Sequence, residues 1–166
     1  MRPIFILVVV LSLLTPLSLI AVTDDSDFEA RLRASQVVSD TETVLIVSNV
    51  HYYPGKKGVG LLSGGKKKVK ARMVFTENRY SVVSWKKRDK KYEILYSQDY
   101  SDLVDTNIVG VSPFIRIVAE NKAGKFNSFE LTDSKNALAP NTQKTRDTHK
   151  ILTACLLYTS PSPRDS

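Results

Sequence analysis

Apolar and polar residues alternate with a period of two along the middle of the chain. The segment 69–75 is the clearest case, since its apolar residues are separated by Lys70 and Arg72. This pattern predicts a β-strand with one buried face and with its charged side chains in water. The β-branched run 43–47 predicts a further strand that is buried on both faces. Other segments that are rich in valine, isoleucine and aromatic residues, and that are bounded by turn residues, are 80–85, 92–96, 112–119 and 126–131.

The spacing of these segments predicts the fold class. About six or seven short strands within roughly 100 residues are typical of an all-β fold, and of an immunoglobulin-like antiparallel β-sandwich in particular. Beyond the N-terminal block, no segment shows the apolar period of about 3.6 residues that predicts a helix. Trp85 is the single tryptophan. We expect it to fill the space between two sheets, against residues from 43–47 and 114–118.

The N-terminal block, residues 1–22, has the pattern of a secretory signal peptide. Arg2 is followed by an apolar stretch over 4–14, and small residues near Ala21 provide a cleavage site. We therefore expect a signal-peptide helix that precedes a lumenal domain at 24–133. An uncleaved membrane anchor is the alternative, because the apolar stretch is nearly long enough to span a bilayer.

The C-terminal part of the chain has a different character. Residues 134–154 are polar and without a period, which predicts a linker or out-of-frame sequence. Residues 155–165 match, position for position, one translated reading frame of an adapter used in sequencing libraries. We therefore expect 155–166 to be an adapter-derived artefact that carries no information on fold or function. On this interpretation Cys155, the single cysteine, is not a natural residue, and a natural C-terminus with any membrane helix is missing.

The positive charge of the chain is concentrated in one region. The formal net charge is +7, and residues 24–133 hold 18 basic and 15 acidic residues, whereas 56–91 hold 13 basic residues and two acidic ones. A local excess of this kind is a candidate polyanion-binding surface. Lysines that keep strand edges from aggregating are the alternative. The candidate interaction residues are Lys66, Lys67, Lys68, Lys70, Arg72, Lys86, Lys87, Arg88, Lys90 and Lys91.

The sequence carries no convincing catalytic signature. The segment 60–66 has the glycine spacing of a phosphate-binding loop, but Lys67 stands where a Ser or Thr would hold magnesium, and a strand follows instead of a helix. His51 is the single histidine of the predicted domain, and we expect it at the surface near the end of a strand. One histidine without neighbouring ligands does not make a zinc site. We therefore predict a non-enzymatic protein without catalytic, cofactor-binding or metal-binding residues.

Several short segments occur in the order, and with the gaps, of one known family. They are Asp40–Val47, Gly64–Lys66, Arg79–Trp85, Lys91–Ile94, Tyr100–Leu103, Ser112–Val118 and Asn121–Phe126. As an ordered set they resemble the delta-subunit family of the translocon-associated protein (signal sequence receptor) complex. The resemblance implies a cleaved signal peptide, a lumenal immunoglobulin-like domain and a C-terminal membrane helix. Animal members of the family carry two cysteines in this region. Here 22–39 holds none, and Tyr53 stands near the second position, which indicates a distant lineage.

Two functional hypotheses follow from these observations. The resemblance implies a non-enzymatic accessory subunit of the endoplasmic reticulum membrane. Its lumenal domain would contact sister subunits and the protein-conducting channel, and would assist the translocation of secretory proteins. The charge distribution supports the alternative of a secreted polyanion-binding β-sandwich that uses the basic region 56–91. Its partners would be acidic glycans, anionic lipid headgroups or an acidic protein surface, while a secretory route disfavours nucleic acid. Neither hypothesis requires a cofactor.

Overall fold

The ranges that the computed structural model describes are 26–55, 68–133 and 139–159. The predicted signal peptide at 1–22 and the glycine-rich segment at 60–66 lie outside these ranges. So do two of the predicted interaction residues, Lys66 and Lys67, and the end of the predicted adapter sequence, 160–166.

Antiparallel β-structure dominates the described part of the chain, which confirms the all-β prediction. Helix α1 spans Ser26–Ala34, helix α2 spans Thr142–Thr159, and a short 3-10 helix spans Tyr100–Asp102. The strands are β1 (Ile46–Pro54), β2 (Val69–Phe75), β3 (Arg79–Lys86), β4 (Lys91–Asp99), β5 (Leu103–Val111), β6 (Phe114–Asn121) and β7 (Phe126–Leu131).

The strands form one sheet with the order β4-β3-β2-β1-β7-β6-β5. Every neighbouring pair is antiparallel. Strands β1 to β4 make one half of the sheet, β5 to β7 make the other, and the β1–β7 pairing joins the halves. This connectivity differs from the expected immunoglobulin type, which divides its strands between two sheets. Alternation along a strand identifies its buried face but not the strand that lies next to it. The sequence pattern therefore could not predict the order of the strands.

One face of the sheet, called the inner face here, builds the larger core. Residues from both halves of the sheet contribute to it, together with Leu152 from α2. Tyr80 and Phe129 are completely buried in it, and their rings meet edge to face with centroids 5.6 Å apart. A smaller core lies on the opposite, outer face, where α1 covers part of the sheet.

Trp85 does not lie in the larger core, so its predicted position between two sheets is wrong. It is only partly buried and stacks obliquely on Tyr92, with ring centroids 4.9 Å apart. The physical cause is the alternation of side chains along β3, which is unbroken from Tyr80 onward. Val82 lies in the larger core and Val83 in the smaller one. Trp85, two residues after Val83, therefore lies on the outer face with it.

The predicted strands agree with the structure except near β1 and β5. Strand β1 begins at Ile46 and continues through Pro54, so it lies further along the chain than 43–47. Strand β5 was not predicted, because the apolar residues of Leu103–Val111 do not alternate with the polar ones; most of its residues are exposed. It lies at one end of the sheet order and has a single neighbouring strand, so one apolar face is not required of it.

Helix α1 also lies outside the sequence prediction. Its acidic residues lie in the first turn and its basic residues in the last, as the helix dipole favours. Glu29 and Arg33 form an ion pair one turn apart, with a 2.6 Å contact. Phe28 and Leu32 are buried and pack in the outer core with Val83. The helix therefore forms a wall above the outer face of the sheet.

Helix α2 includes residues 142–154 of the segment that was predicted to be a linker or out-of-frame sequence. The side chain of Asn141 caps the helix, since its Oδ1 accepts a hydrogen bond of 2.8 Å from the backbone N–H of Lys144. Leu152 is fully buried in the larger core, and Cys155 packs beside it partly buried. Two of its buried positions are the threonines Thr145 and Thr148, so no clear apolar period appears in its sequence. The adapter origin of residues from Cys155 onward is a separate question and stays a prediction. Within the described ranges, neither helix is long and apolar enough to cross a membrane.

Candidate ligand-binding groove

A groove of about 360 Å³ lies on the outer face of the sheet, at the edge of α1. One cationic side chain from α1, Arg31, and two from β2, Lys70 and Arg72, line it. Two aromatic side chains, Trp85 and Tyr92, also belong to its lining. None of the described lining residues is acidic. The groove therefore combines positive charge with an aromatic surface.

Cross-strand pairing brings together the groove residues that lie on strands. Arg72 pairs with Asn49 of β1 on one side and with Val83 of β3 on the other. Trp85 pairs with Tyr92 of β4. Because residues that pair across strands share a face, all five side chains lie on the outer face of the sheet.

Two of the cations are held against aromatic rings. The guanidinium carbon of Arg31 lies 5.6 Å from the ring centre of Trp85, and that of Arg72 lies 4.4 Å from the ring centre of Phe28. Arg31 also forms an exposed ion pair with Asp27, one turn earlier in α1. Cation–π contacts of this kind orient a guanidinium without neutralising its charge.

The other described basic residues of the prediction lie at the same end of the sheet. Strands β2 and β3 are antiparallel, so the start of β2, near Lys68 and Lys70, lies beside the end of β3. The β3–β4 turn follows there, and its basic side chains are exposed. Lys86 differs from the other basic residues of the turn, because it forms an ion pair with Glu93 at 2.8 Å. The structure thus places Lys70 and Arg72 in the groove, and at the same end of the sheet it places Lys68, Lys86, Lys87, Arg88, Lys90 and Lys91.

The β1–β7 side of the groove is polar and not charged. Asn49 and Thr132 line it there, and the backbone N–H of Thr132 donates a 3.0 Å hydrogen bond to the carbonyl oxygen of Asn49. The residue Thr132 is 1 % exposed, and its Oγ1 has no hydrogen-bond partner. On this side of the groove, the half-buried amide of Asn49 can accept or donate a hydrogen bond.

A second polar cluster lies further along the outer face, on β1, β6 and β7. The hydroxyl of Tyr53 donates a 2.7 Å hydrogen bond to Glu130 Oε2, and His51 Nδ1 lies 3.5 Å from the same oxygen. The Arg116 guanidinium carbon lies 3.6 Å from the ring centre of Tyr53. Burial, and next the hydrogen bond to the Glu130 carboxylate, raise the pKa of Tyr53 to about 12. None of these four residues lines the groove.

His51 is therefore not the surface residue that the sequence suggested. It is 1 % exposed, and neither ring nitrogen makes a hydrogen bond. The reason is its place on β1, which lies between β2 and β7, so that Lys70 and Glu130 pair with it on either side. Within the described ranges, no three metal-ligating side chains are grouped to hold an ion.

Sequence reasoning identified Lys70 and Arg72 but missed most of the groove lining. One signal for the missed Arg31 is available, since its spacing from Asp27 fits an ion pair on a helix. Asn49 and Thr132 carry no such signal, because their meeting depends on the β1–β7 pairing.

Comparison with known proteins gives a fold but no family. No family model and no curated protein matches the chain. The C-terminal domain of an unknown protein from Leishmania infantum is similar in structure, with a TM-score of 0.52 and 12% identity, over 78% of this chain and 98% of that one. A linker-DH/PH fragment of p115-RhoGEF is similar with a TM-score of 0.50 and 6% identity, over 87% of this chain and 37% of that one. At these identities the likeness shows a shared PH-like fold and nothing of function.

Proposed function

We propose that this chain is a binding protein for polyanions and that the groove is the centre of its binding surface. The observation that carries the proposal is the composition of the groove, where Arg31, Lys70 and Arg72 surround an aromatic patch without a described acidic residue. A concave surface with charges of one sign raises the local concentration of oppositely charged ligands.

The size of the basic region favours a polymer over a single small anion. One exposed ion pair contributes only about 0.2–1 kcal/mol, so useful affinity requires several pairs together. The basic β3–β4 turn and Lys68 lie at the same end of the sheet as Lys70 and would supply further contacts along an extended ligand. Affinity that depends on several such pairs falls steeply with ionic strength.

Heparin affinity chromatography of the full chain tests the proposal. We expect elution clearly above physiological ionic strength, about 0.15 M. The double variant Lys70→Gln/Arg72→Gln should bind about three- to tenfold more weakly. The matched control is Lys122→Gln/Lys125→Gln, which removes the same charge from the exposed β6–β7 turn, away from the groove lining. Elution near physiological salt, or equal losses in the two double variants, would contradict the proposal.

The ordered sequence resemblance supports a second candidate, an accessory subunit of the endoplasmic reticulum translocon. We place it second because the strand order differs from the immunoglobulin-like domain that the resemblance implies, and because the solved structures named above are unrelated to that family. Purification of a tagged full chain from solubilised microsomes is its test. Recovery of the protein-conducting channel and sister subunits is expected, and recovery of neither would exclude this candidate.

A further inference from the structure

One buried oxygen at the groove has no hydrogen-bond partner. Thr132 Oγ1 is enclosed, unpaired and part of a residue that lines the groove. Buried hydroxyl groups in folded proteins almost always have a partner, because an unpaired one retains the cost of its lost hydration. Thr132 lines the groove, but its Oγ1 has almost no exposed surface, so the side chain must turn toward the groove for a ligand group to complete it.

Asn49 connects the polar side of the groove, at Thr132, with its charged side, at Arg72. Asn49 is half-buried, and its amide can both donate and accept hydrogen bonds. It pairs across the strands with Arg72. Neutral hydrogen-bonding groups and a fixed cation are therefore adjacent on the same face of the sheet. One ligand could present hydroxyl groups to Asn49 and Thr132 and an anionic group to Arg72.

We infer that the groove binds an acidic sugar, that is, a polyhydroxylated ring with a carboxylate or sulfate group within a glycan. This inference rests on the proposed function, because it assigns a ligand class to the same groove. Lys70 and Arg72 pair with the anionic group, Thr132 and Asn49 bind ring hydroxyls, and Trp85 contacts an apolar side of the ring. The volume of about 360 Å³ lies at the lower end of small-ligand pockets, about 300–1,000 Å³. That size suits a sugar unit better than a folded protein surface.

Titration of the full chain with three anions separates this inference from simple charge attraction. The first probe is a heparin-derived tetrasaccharide, and the second is inorganic tripolyphosphate, which has no ring hydroxyls. The third is inositol monophosphate, which carries ring hydroxyls and a phosphate and represents a lipid headgroup. Trp85, the single tryptophan, reports binding through its emission. Thr132→Val removes the hydroxyl without changing the shape of the side chain, and Thr132→Ser restores it.

We expect Thr132→Val to weaken tetrasaccharide binding about three- to tenfold, as the loss of one hydrogen bond predicts. Thr132→Ser should bind as the unchanged chain does, and tripolyphosphate should bind all three proteins alike. If Thr132→Val weakens both ligands equally, or neither, the acidic-sugar inference is wrong while polyanion binding stands. If inositol monophosphate binding depends on Thr132 and tetrasaccharide binding does not, the source is a lipid headgroup and the inference is also overturned. If no anion binds in a salt-dependent manner, the proposed function itself fails.

Discussion

The carboxylate of Glu42 and the guanidinium of Arg79 form a two-point ion pair between the segment before β1 and the start of β3. Arg79 Nε donates to Glu42 Oε1 at 3.0 Å, and Nη2 donates to Oε2 at 2.9 Å. Arg79 Nη2 also donates to the carbonyl oxygen of Val37 at 3.2 Å. Arg33 Nη2, from the end of α1, donates to the carbonyl oxygen of Glu42 at 2.8 Å. The pair thus connects α1, which supplies one wall of the groove, to the sheet.

Loss of this ion pair should destabilise the protein measurably. We expect Arg79→Ala to lower the free energy of unfolding by about 1.5–3 kcal/mol, because a partly buried carboxylate loses charge-assisted hydrogen bonds. Urea denaturation is the measurement. Lys125→Ala, at an exposed position, should change stability by no more than about 0.5 kcal/mol. Equal stability of the two variants would show that the pair does not hold the N-terminal segment.

The same pair predicts a pH dependence of stability. The hydrogen bond from Arg79 is the main cause that lowers the pKa of Glu42 from 4.5 to about 2 in the folded protein. Since the folded pKa is the lower one, the stabilisation is complete above pH 4.5 and is lost as the pH falls toward 2. The difference in melting temperature between the unchanged chain and Glu42→Gln should therefore shrink across this range. A difference that stays constant would contradict the assignment.

The two aromatic residues of β3 should differ in their importance for folding. Tyr80→Ala removes a completely buried ring from the larger core and should cost about 3–5 kcal/mol, as other buried aromatic truncations do. Trp85→Ala removes a half-buried ring from the outer face and should cost about 1 kcal/mol. Chemical denaturation followed by circular dichroism measures both. A larger loss of stability in Trp85→Ala than in Tyr80→Ala would place Trp85 in the core, as the sequence analysis predicts.

Helix α2 should contribute to stability through one buried side chain. Leu152→Ala is expected to cost about 2–5 kcal/mol, since Leu152 is fully buried against the sheet. Ala154→Ser, at an exposed position of the same helix, is the control and should change stability by less than about 0.5 kcal/mol. If Leu152→Ala were also neutral, α2 would not be docked on the sheet as described.

Local patterns in the sequence determined most strands and the basic region. The alternation in 69–75 and the phenylalanine-containing segment 126–131 predict β2 and β7 with the bounds that the structure has. This succeeds because the period of a strand is a local property: each buried face marks every second residue. The basic residues Lys70 and Arg72 could be proposed as a surface for the same reason, since charged side chains seldom lie inside a fold.

The tertiary structure alone decided which residues meet. The β1–β7 pairing buries His51 and brings Asn49 beside Thr132, although about 80 residues of chain separate the latter two. The packing of Tyr80 and Val82 in the larger core leaves Trp85 on the outer face, and β5 is a strand without apolar–polar alternation because it lies at an edge. Strand partners, bulges and edges depend on contacts between distant segments. The period of a single segment therefore carries no information about them.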